Sequence, residues 1–195
     1  IKLTFTILLL LLIQVGIYFY VNKNEERINK SMEIKELVSI DEFAYGFENG
    51  ILDLSNRDLS SLSLVPSFIW EDESIEVVNL SYNQLKDFPY EVMNLPNLKR
   101  LYVEDCRMNF LPESLTKAAK LEELYLSNNK LTEMPADLGQ LANLRILDLT
   151  SNELQKCPRS VCDIKRLEVL KLQHNPMLDI EPRMLGRLYL MQLRF

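Results

Sequence analysis

The hydrophobic residues between Lys120 and Leu144 keep neither the period of about 3.6 residues typical of a helix nor the alternation typical of a strand. Counted from Leu121 as position one, apolar residues stand at positions one, four, six and eleven, and asparagine stands at position nine. The unit recurs every 23 residues, beginning at Ile75, Leu98, Leu121, Leu144, Leu167 and Leu190. A degenerate first copy, followed by a three-residue insertion, contains Leu52, Leu54 and Leu59. The chain is therefore built largely from internal repeats.

The second half of the unit repeats as well. An apolar residue and a proline stand at positions fourteen and fifteen, in the pairs Phe88-Pro89, Leu111-Pro112, Met134-Pro135 and Cys157-Pro158. Positions four and six point to one face of a short strand, and because one unit cannot bury its leucines alone, successive units are expected to stack their strands into a parallel sheet. The asparagines that follow the strands are expected to form a ladder of side chains bonded to backbone, made of Asn83, Asn129, Asn152 and Asn175, with Cys106 in the same column.

These spacings resemble the leucine-rich repeat family in its 23-residue form, LxxLxLxxNxLxxLPxxIxxL, over residues 49–195. The resemblance implies an α/β solenoid of about seven units, the last one incomplete. A parallel sheet would line its concave side, and short helical or 3₁₀ turns would line its convex side. It also implies that the domain binds a protein partner on the concave face, without catalysis.

The side chains at positions three, five, seven and eight are expected to line that concave face. They include tyrosine and arginine, which are enriched where binding energy concentrates in protein interfaces. The predicted protein-binding residues are Tyr82, Arg100, Tyr102, Glu104, Asp105, Tyr125, Asp148 and Lys171, with the three tyrosines expected to cluster at the middle of the sheet. The alternative is that these tyrosines serve only as strand formers.

Composition argues against several other function classes. The net charge is −6 and no run of Lys or Arg occurs, so nucleic acid is not an expected partner. His174 is the single histidine, which supports neither a metal cluster nor a catalytic triad, and 5 glycines form no phosphate-binding loop. No catalytic residue, cofactor or metal site is predicted.

Several residues have a structural and a functional interpretation. Cys106, Cys157 and Cys162 are expected to be small buried side chains, and the alternative for the last two is a disulfide or redox pair. Trp70, in the inserted segment, is expected to pack against the outer side of the solenoid rather than bind a ligand.

The first 22 residues predict a membrane anchor. Leu3–Val21 contains no charge, and as a helix it would span about 28 Å, close to the hydrocarbon thickness of a bilayer. An uncleaved single-pass anchor is favoured because the run ends in Tyr18, Phe19 and Tyr20 rather than at a small-residue cleavage site. A cleaved signal and a buried soluble helix remain open.

Residues 23–48 are expected to be a stalk and a cap on the first repeat, with Phe43, Tyr45 and Phe47 packing there. The count of Lys and Arg around the anchor would place the repeats in the cytoplasm. A lone apolar segment at the N-terminus, however, more often directs export of the residues that follow it. Export of the repeat domain is therefore favoured. The sequence thus predicts a membrane-anchored protein-binding module. The alternatives are the ligand-binding part of a longer receptor or enzyme cut short after Phe195, and a self-associating surface or adhesion protein.

Overall fold

Short strands recur at the predicted interval in a computed structural model, which describes residues 47–63, 65, 67–184 and 192–194. In this part of the chain the strands are β1 (Phe47–Glu48), β2 (Ile51–Asp53), β3 (Val77–Asn79), β4 (Arg100–Tyr102), β5 (Glu123–Tyr125), β6 (Ile146–Asp148), β7 (Val169–Lys171) and β8 (Gln192–Arg194). They form one sheet in chain order, with β1 antiparallel to β2 and every later pair parallel. The predicted parallel sheet is confirmed.

The register of the sheet follows the 23-residue step. Leu101 of β4 lies opposite Leu124 of β5, which lies opposite Leu147 of β6. Each of these leucines is fully buried. A slip of one residue would turn a whole row of leucines into solvent, so the repeat spacing itself fixes the pairing.

The returning half of each unit forms a 3₁₀ helix. These helices span Ser67–Glu71, Tyr90–Asn94, Glu113–Lys117, Leu138–Gln140 and Arg159–Asp163. In the sequence, proline directly precedes four of them, at Pro66, Pro89, Pro112 and Pro158. At Pro112 and Pro158 the backbone is extended, which ends the preceding segment before the turn begins. The predicted short helical or 3₁₀ turns are confirmed.

The core lies between the sheet and these turns. Leu126 and Leu149, at position six, are fully buried, as are Leu115 and Leu138 in the 3₁₀ helices. Fully burying one such side chain is worth about 1.5–3 kcal/mol, and every unit contributes several. Stability is therefore distributed along the repeats rather than concentrated in one centre.

The predicted asparagine ladder is present. Asn129, for example, donates from Nδ2 to the carbonyls of Val103 (2.7 Å) and Leu126 (3.0 Å), and its Oδ1 accepts the N–H groups of Cys106 (3.1 Å) and Met108 (2.9 Å). The amide thereby joins two adjacent units through groups that would otherwise be buried without partners.

The cysteines and Trp70 are buried as expected. Trp70 is 2% exposed and lies in the first 3₁₀ helix. Cys106 takes the ladder position in its unit, and its thiol donates to the carbonyl of Leu80 at 3.2 Å. Burial raises the pKa of Cys106 to about 11 and that of Cys157 to about 12, so both thiols stay protonated at neutral pH. No disulfide joins Cys157 and Cys162.

The predicted anchor, Leu3–Val21, lies outside the described residues. The same holds for residues 23–46 of the predicted stalk and for Leu190 and Phe195 of the last unit. No helix among the residues that are described is both long and apolar enough to cross a membrane.

Candidate functional site

One face of the sheet carries the predicted binding residues. In β4, Leu101 at position four is buried, whereas Arg100 and Tyr102 at positions three and five are exposed and half-buried. The same alternation places Glu123 and Tyr125 on this side of β5. We call the side chains at positions three and five the sheet face. Because the 3₁₀ helices cover the opposite side, the sheet face is the side that remains open for binding.

Two tyrosines stack at the middle of the sheet face. The rings of Tyr102 and Tyr125 lie 4.5 Å apart between centroids, with an interplanar angle of 5°. Their strands hold them in register, since Tyr102 is the cross-strand partner of Tyr125. Such a contact contributes about 0.5–1.5 kcal/mol beyond the apolar area it buries. The repeat thus fixes a flat aromatic pair on the sheet face.

Glu123 fixes the position of Tyr125. The Tyr125 hydroxyl donates to Oε2 of Glu123 at 3.0 Å. Burial raises the pKa of Tyr125 well above its usual value, and the hydrogen bond to Glu123 and the charge of that carboxylate add to the effect. Burial, followed by the charge of Glu123, also raises the pKa of Tyr102. Both phenols are therefore neutral hydrogen-bonding groups throughout the physiological pH range.

Arg100 and Glu104 lie on either side of Tyr102 along the chain. Arg100 is exposed and lies opposite Glu123 in the strand register, but it belongs to none of the ion pairs among the described residues. Glu104, at position seven, accepts the hydroxyl of Ser127 at 2.5 Å. An unpaired guanidinium beside an ordered aromatic pair can bind a carboxylate or a carbonyl of a partner.

Asp148 and Lys171 bind each other instead of facing solvent separately. Asp148 is only 5% exposed, and its Oδ2 lies 2.7 Å from Nζ of Lys171. Its Oδ1 accepts the backbone N–H of Thr150 at 3.0 Å. The two residues are neighbours on adjacent strands, so their opposite charges cancel at this end of the sheet face.

Tyr82 and Asp105 lie beyond the strands, in the turn at position eight. Both residues have left-handed backbone, with φ of 61° and 52°. Tyr82 is 59% exposed, and its ring does not stack on those of Tyr102 and Tyr125. The structure therefore brings together two of the three tyrosines that were predicted to cluster. The reason is that the chain turns after position six, where the N–H of Tyr82 bonds to the carbonyl of Glu104 at 2.8 Å.

Within the part of the chain that the structure describes, no group of three or more His, Cys, Asp or Glu side chains could hold a metal ion. His174 is an exposed residue in the position-eight turn, with φ of 56°.

The repeats also match known sequences. The family model described as leucine rich repeat matches residues 119–177. The chain is a leucine-rich repeat protein. No match was found among curated protein sequences.

Solved leucine-rich repeat structures resemble this chain over 59–67% of its length. One is a leucine-rich repeat protein of Leptospira interrogans, with 31% identity and a TM-score of 0.59 over 67% of this chain and 33% of that one. Another is the internalin InlF of Listeria monocytogenes, with 21% identity and a TM-score of 0.54 over 65% of this chain and 36% of that one.

A third structure is the leucine-rich repeat ectodomain of the receptor kinase SOBIR1 of Arabidopsis thaliana. It has 24% identity and a TM-score of 0.51 over 59% of this chain and 64% of that one. The chain therefore spans about a third of the first two proteins and less than two thirds of the third. At identities below 25%, the second and third structures show the fold alone.

The repeats of this chain also place a charged column just before their strands, which the sequence prediction missed. Position two carries alternating acidic and basic residues, namely Glu76, Lys99, Glu122, Arg145 and Glu168. Two pairs of neighbours in this column form ion pairs, Lys99 with Glu76 at 2.8 Å and Arg145 with Glu168 at 2.9 Å. Opposite charges that recur at one repeat position are a signal that could have revealed these pairs.

Proposed function

We propose that this leucine-rich repeat protein binds a protein partner through its sheet face. The observation that supports this most strongly is the stacked pair Tyr102–Tyr125, held on adjacent strands and flanked by Arg100, which forms no ion pair within the described part of the chain. Tyrosine and arginine supply large contact areas and hydrogen bonds, and both are enriched at the energetic centres of interfaces.

The ordering of these side chains favours binding. Tyr125 is fixed by its stacking with Tyr102 and by its hydrogen bond to Glu123, and Glu104 is held by the hydroxyl of Ser127. A side chain that is already immobile in the free protein loses little conformational entropy when a partner binds. The sheet face is therefore suited to a ligand that extends across several repeats.

The proposal includes a membrane anchor formed by Leu3–Val21, with the repeat domain exported. Support comes from the sequence, because an uncharged segment of this length matches the thickness of a bilayer. Extraction of membranes with alkaline carbonate should leave the full chain in the pellet. The repeats should be digested by protease added to intact cells. Release into the supernatant would contradict anchoring, and protection until lysis would contradict export.

Site-specific photo-crosslinking tests the binding surface. The photoreactive analogue p-benzoylphenylalanine would replace Tyr82, which is 59% exposed beside the sheet face, in the full chain expressed in its native cells. The matched control carries the analogue in place of Tyr90, which is 49% exposed in a 3₁₀ helix on the opposite side. Illumination at residue 82 should yield a discrete adduct with one protein, identified by mass spectrometry, and residue 90 should not.

The double substitution Tyr102→Ala and Tyr125→Ala should abolish the adduct at residue 82. Equal adducts at residues 82 and 90, or an adduct that survives the double substitution, would show that the partner does not bind the sheet face. Circular dichroism of the variant separates the loss of binding from a loss of folding.

A further inference from the structure

Negative charge predominates on the sheet face and the turn beside it. Over the described units, positions three, five, seven and eight carry the carboxylates of Asp53, Glu104, Asp105, Glu123 and Asp148 and the cations Arg100, Lys171 and Arg194. Asp148 and Lys171 neutralise each other, and Arg194 belongs to β8, three strands from Tyr125. The four remaining carboxylates therefore outnumber Arg100, the cation on the strand of Tyr102. The whole chain is acidic too, with a net charge of −6, so long-range attraction acts in the same direction.

The carboxylates nearest the tyrosine pair are held by neutral donors. Glu104 bonds the hydroxyl of Ser127 through Oε1, and Glu123 bonds the hydroxyl of Tyr125 through Oε2. Hydroxyl groups orient a carboxylate without neutralising it. In the described structure, the second oxygen of each carboxylate accepts no side-chain or backbone hydrogen, so each retains an acceptor for an incoming donor.

We propose that the sheet face around Tyr102 and Tyr125 binds a polypeptide segment rich in arginine or lysine. A guanidinium or ammonium group could bind Glu104 or Glu123 while its aliphatic part packs against the tyrosine rings. The inference rests on the proposed function and specifies the chemistry of the partner. Arg100 alone would favour an acidic partner, but the carboxylates of Glu104, Asp105 and Glu123 outnumber it.

Selection from a display library of random twelve-residue peptides tests this inference. The target is the full 195-residue chain in a non-ionic detergent, at 50 mM salt. Enriched peptides should carry more Arg and Lys than Asp and Glu. Their affinity, measured by fluorescence anisotropy, should fall when salt is raised to 500 mM, because exposed charges are screened.

Matched variants locate the interaction. Glu104→Gln with Glu123→Gln should weaken the selected peptides about tenfold, and Arg100→Gln should strengthen them about threefold because it removes a repulsive charge. Glu133→Gln with Asp137→Asn makes the same change of charge at two exposed residues outside the sheet, and it should leave affinity within about twofold.

The outcomes distinguish this inference from the proposed function. Acidic or uncharged peptides that lose binding to the Tyr102→Ala and Tyr125→Ala variant would overturn the basic partner but support the sheet face as the binding surface. Peptides that bind this variant and the glutamine variant as well as they bind the native chain would contradict both, as would a selection that enriches no peptide.

Discussion

Asn129→Ala is the most informative perturbation of the fold, because one side chain joins two repeats. Asn129 is 6% exposed, and its amide makes hydrogen bonds to both its own unit and the preceding one. Alanine removes the amide without altering the leucines that pack around it. The substitution therefore tests the ladder separately from the hydrophobic core.

The expected loss follows from the groups left without partners. The N–H groups of Cys106 and Met108 lose their acceptor, and the carbonyls of Val103 and Leu126 lose a donor. A buried polar group left unsatisfied costs about 1–3 kcal/mol. Each carbonyl has a second lone pair, and that of Leu126 still accepts from Nδ2 of Asn152, whereas each N–H has one hydrogen and no other acceptor among the described residues. The two N–H groups therefore dominate, and we expect a total loss of about 3 kcal/mol.

Urea unfolding of the full chain measures this loss. Trp70 is the only tryptophan and is buried, so its fluorescence reports unfolding of the first repeats, while circular dichroism reports the sheet as a whole. With a slope of about 2 kcal/mol per molar urea, the midpoint should fall by about 1.5 M. The matched control is Asn109→Ala, an exposed asparagine three residues past the ladder column, which should cost less than about 0.5 kcal/mol. Equal losses for the two variants would refute the reasoning.

Three further results are expected. Cys106→Asn should raise the free energy of unfolding by about 1 kcal/mol in the same urea assay. The new Oδ1 could accept the N–H of Leu85, as other ladder asparagines accept the N–H groups of Leu59, Met108 and Leu131 at the same repeat position. Destabilisation would contradict this reasoning. Gly139→Ala should cost about 1–3 kcal/mol, since the new Cβ would lie 2.6 Å from the carbonyl oxygen of Ser160, and an unchanged midpoint would show that the turn can relax. Tyr125→Phe should remove, from a titration followed at 295 nm, the tyrosine whose pKa is raised most among the described residues. Because the pKa of Tyr125 is raised in the folded state, the folded chain keeps the phenol proton at a pH near 10, where the unfolded chain loses it. The stabilisation that the neutral phenol provides is therefore present below pH 10 and is lost as the pH rises further.

The architecture could be predicted because the repeat specifies it redundantly. Leu101, Leu124 and Leu147 occupy one position in successive units, and only one register buries them all. The asparagine column was equally predictable, since a buried turn needs a side chain that both donates and accepts. Such features depend on a single repeat unit and its copy, and both can be seen in the sequence.

The arrangement of the candidate site was harder to predict because it depends on contacts between columns. Asp148 and Lys171 stand at the same position of adjacent units with opposite charges, a signal that could have indicated their pairing. The turn at Tyr82 also had a signal, because Asp105 and Asn128 share its column and such residues tolerate left-handed backbone. The hydrogen bond between Ser127 and Glu104 joins neighbouring units at position seven, and Thr150 donates to Gln173 in the same column. Hydroxyl residues next to Glu or Gln at one repeat position were therefore a signal as well.

The most direct test of the central claim is the affinity of the partner captured at residue 82 for the Tyr102→Ala and Tyr125→Ala variant. If the stacked pair is an energetic centre, the dissociation constant should rise by about 30-fold or more. Tyr90→Ala with Phe110→Ala removes two exposed aromatic residues outside the sheet and should leave the constant within about twofold. Equal affinities for the native chain and the sheet-face variant, or a greater loss in the control, would contradict the account.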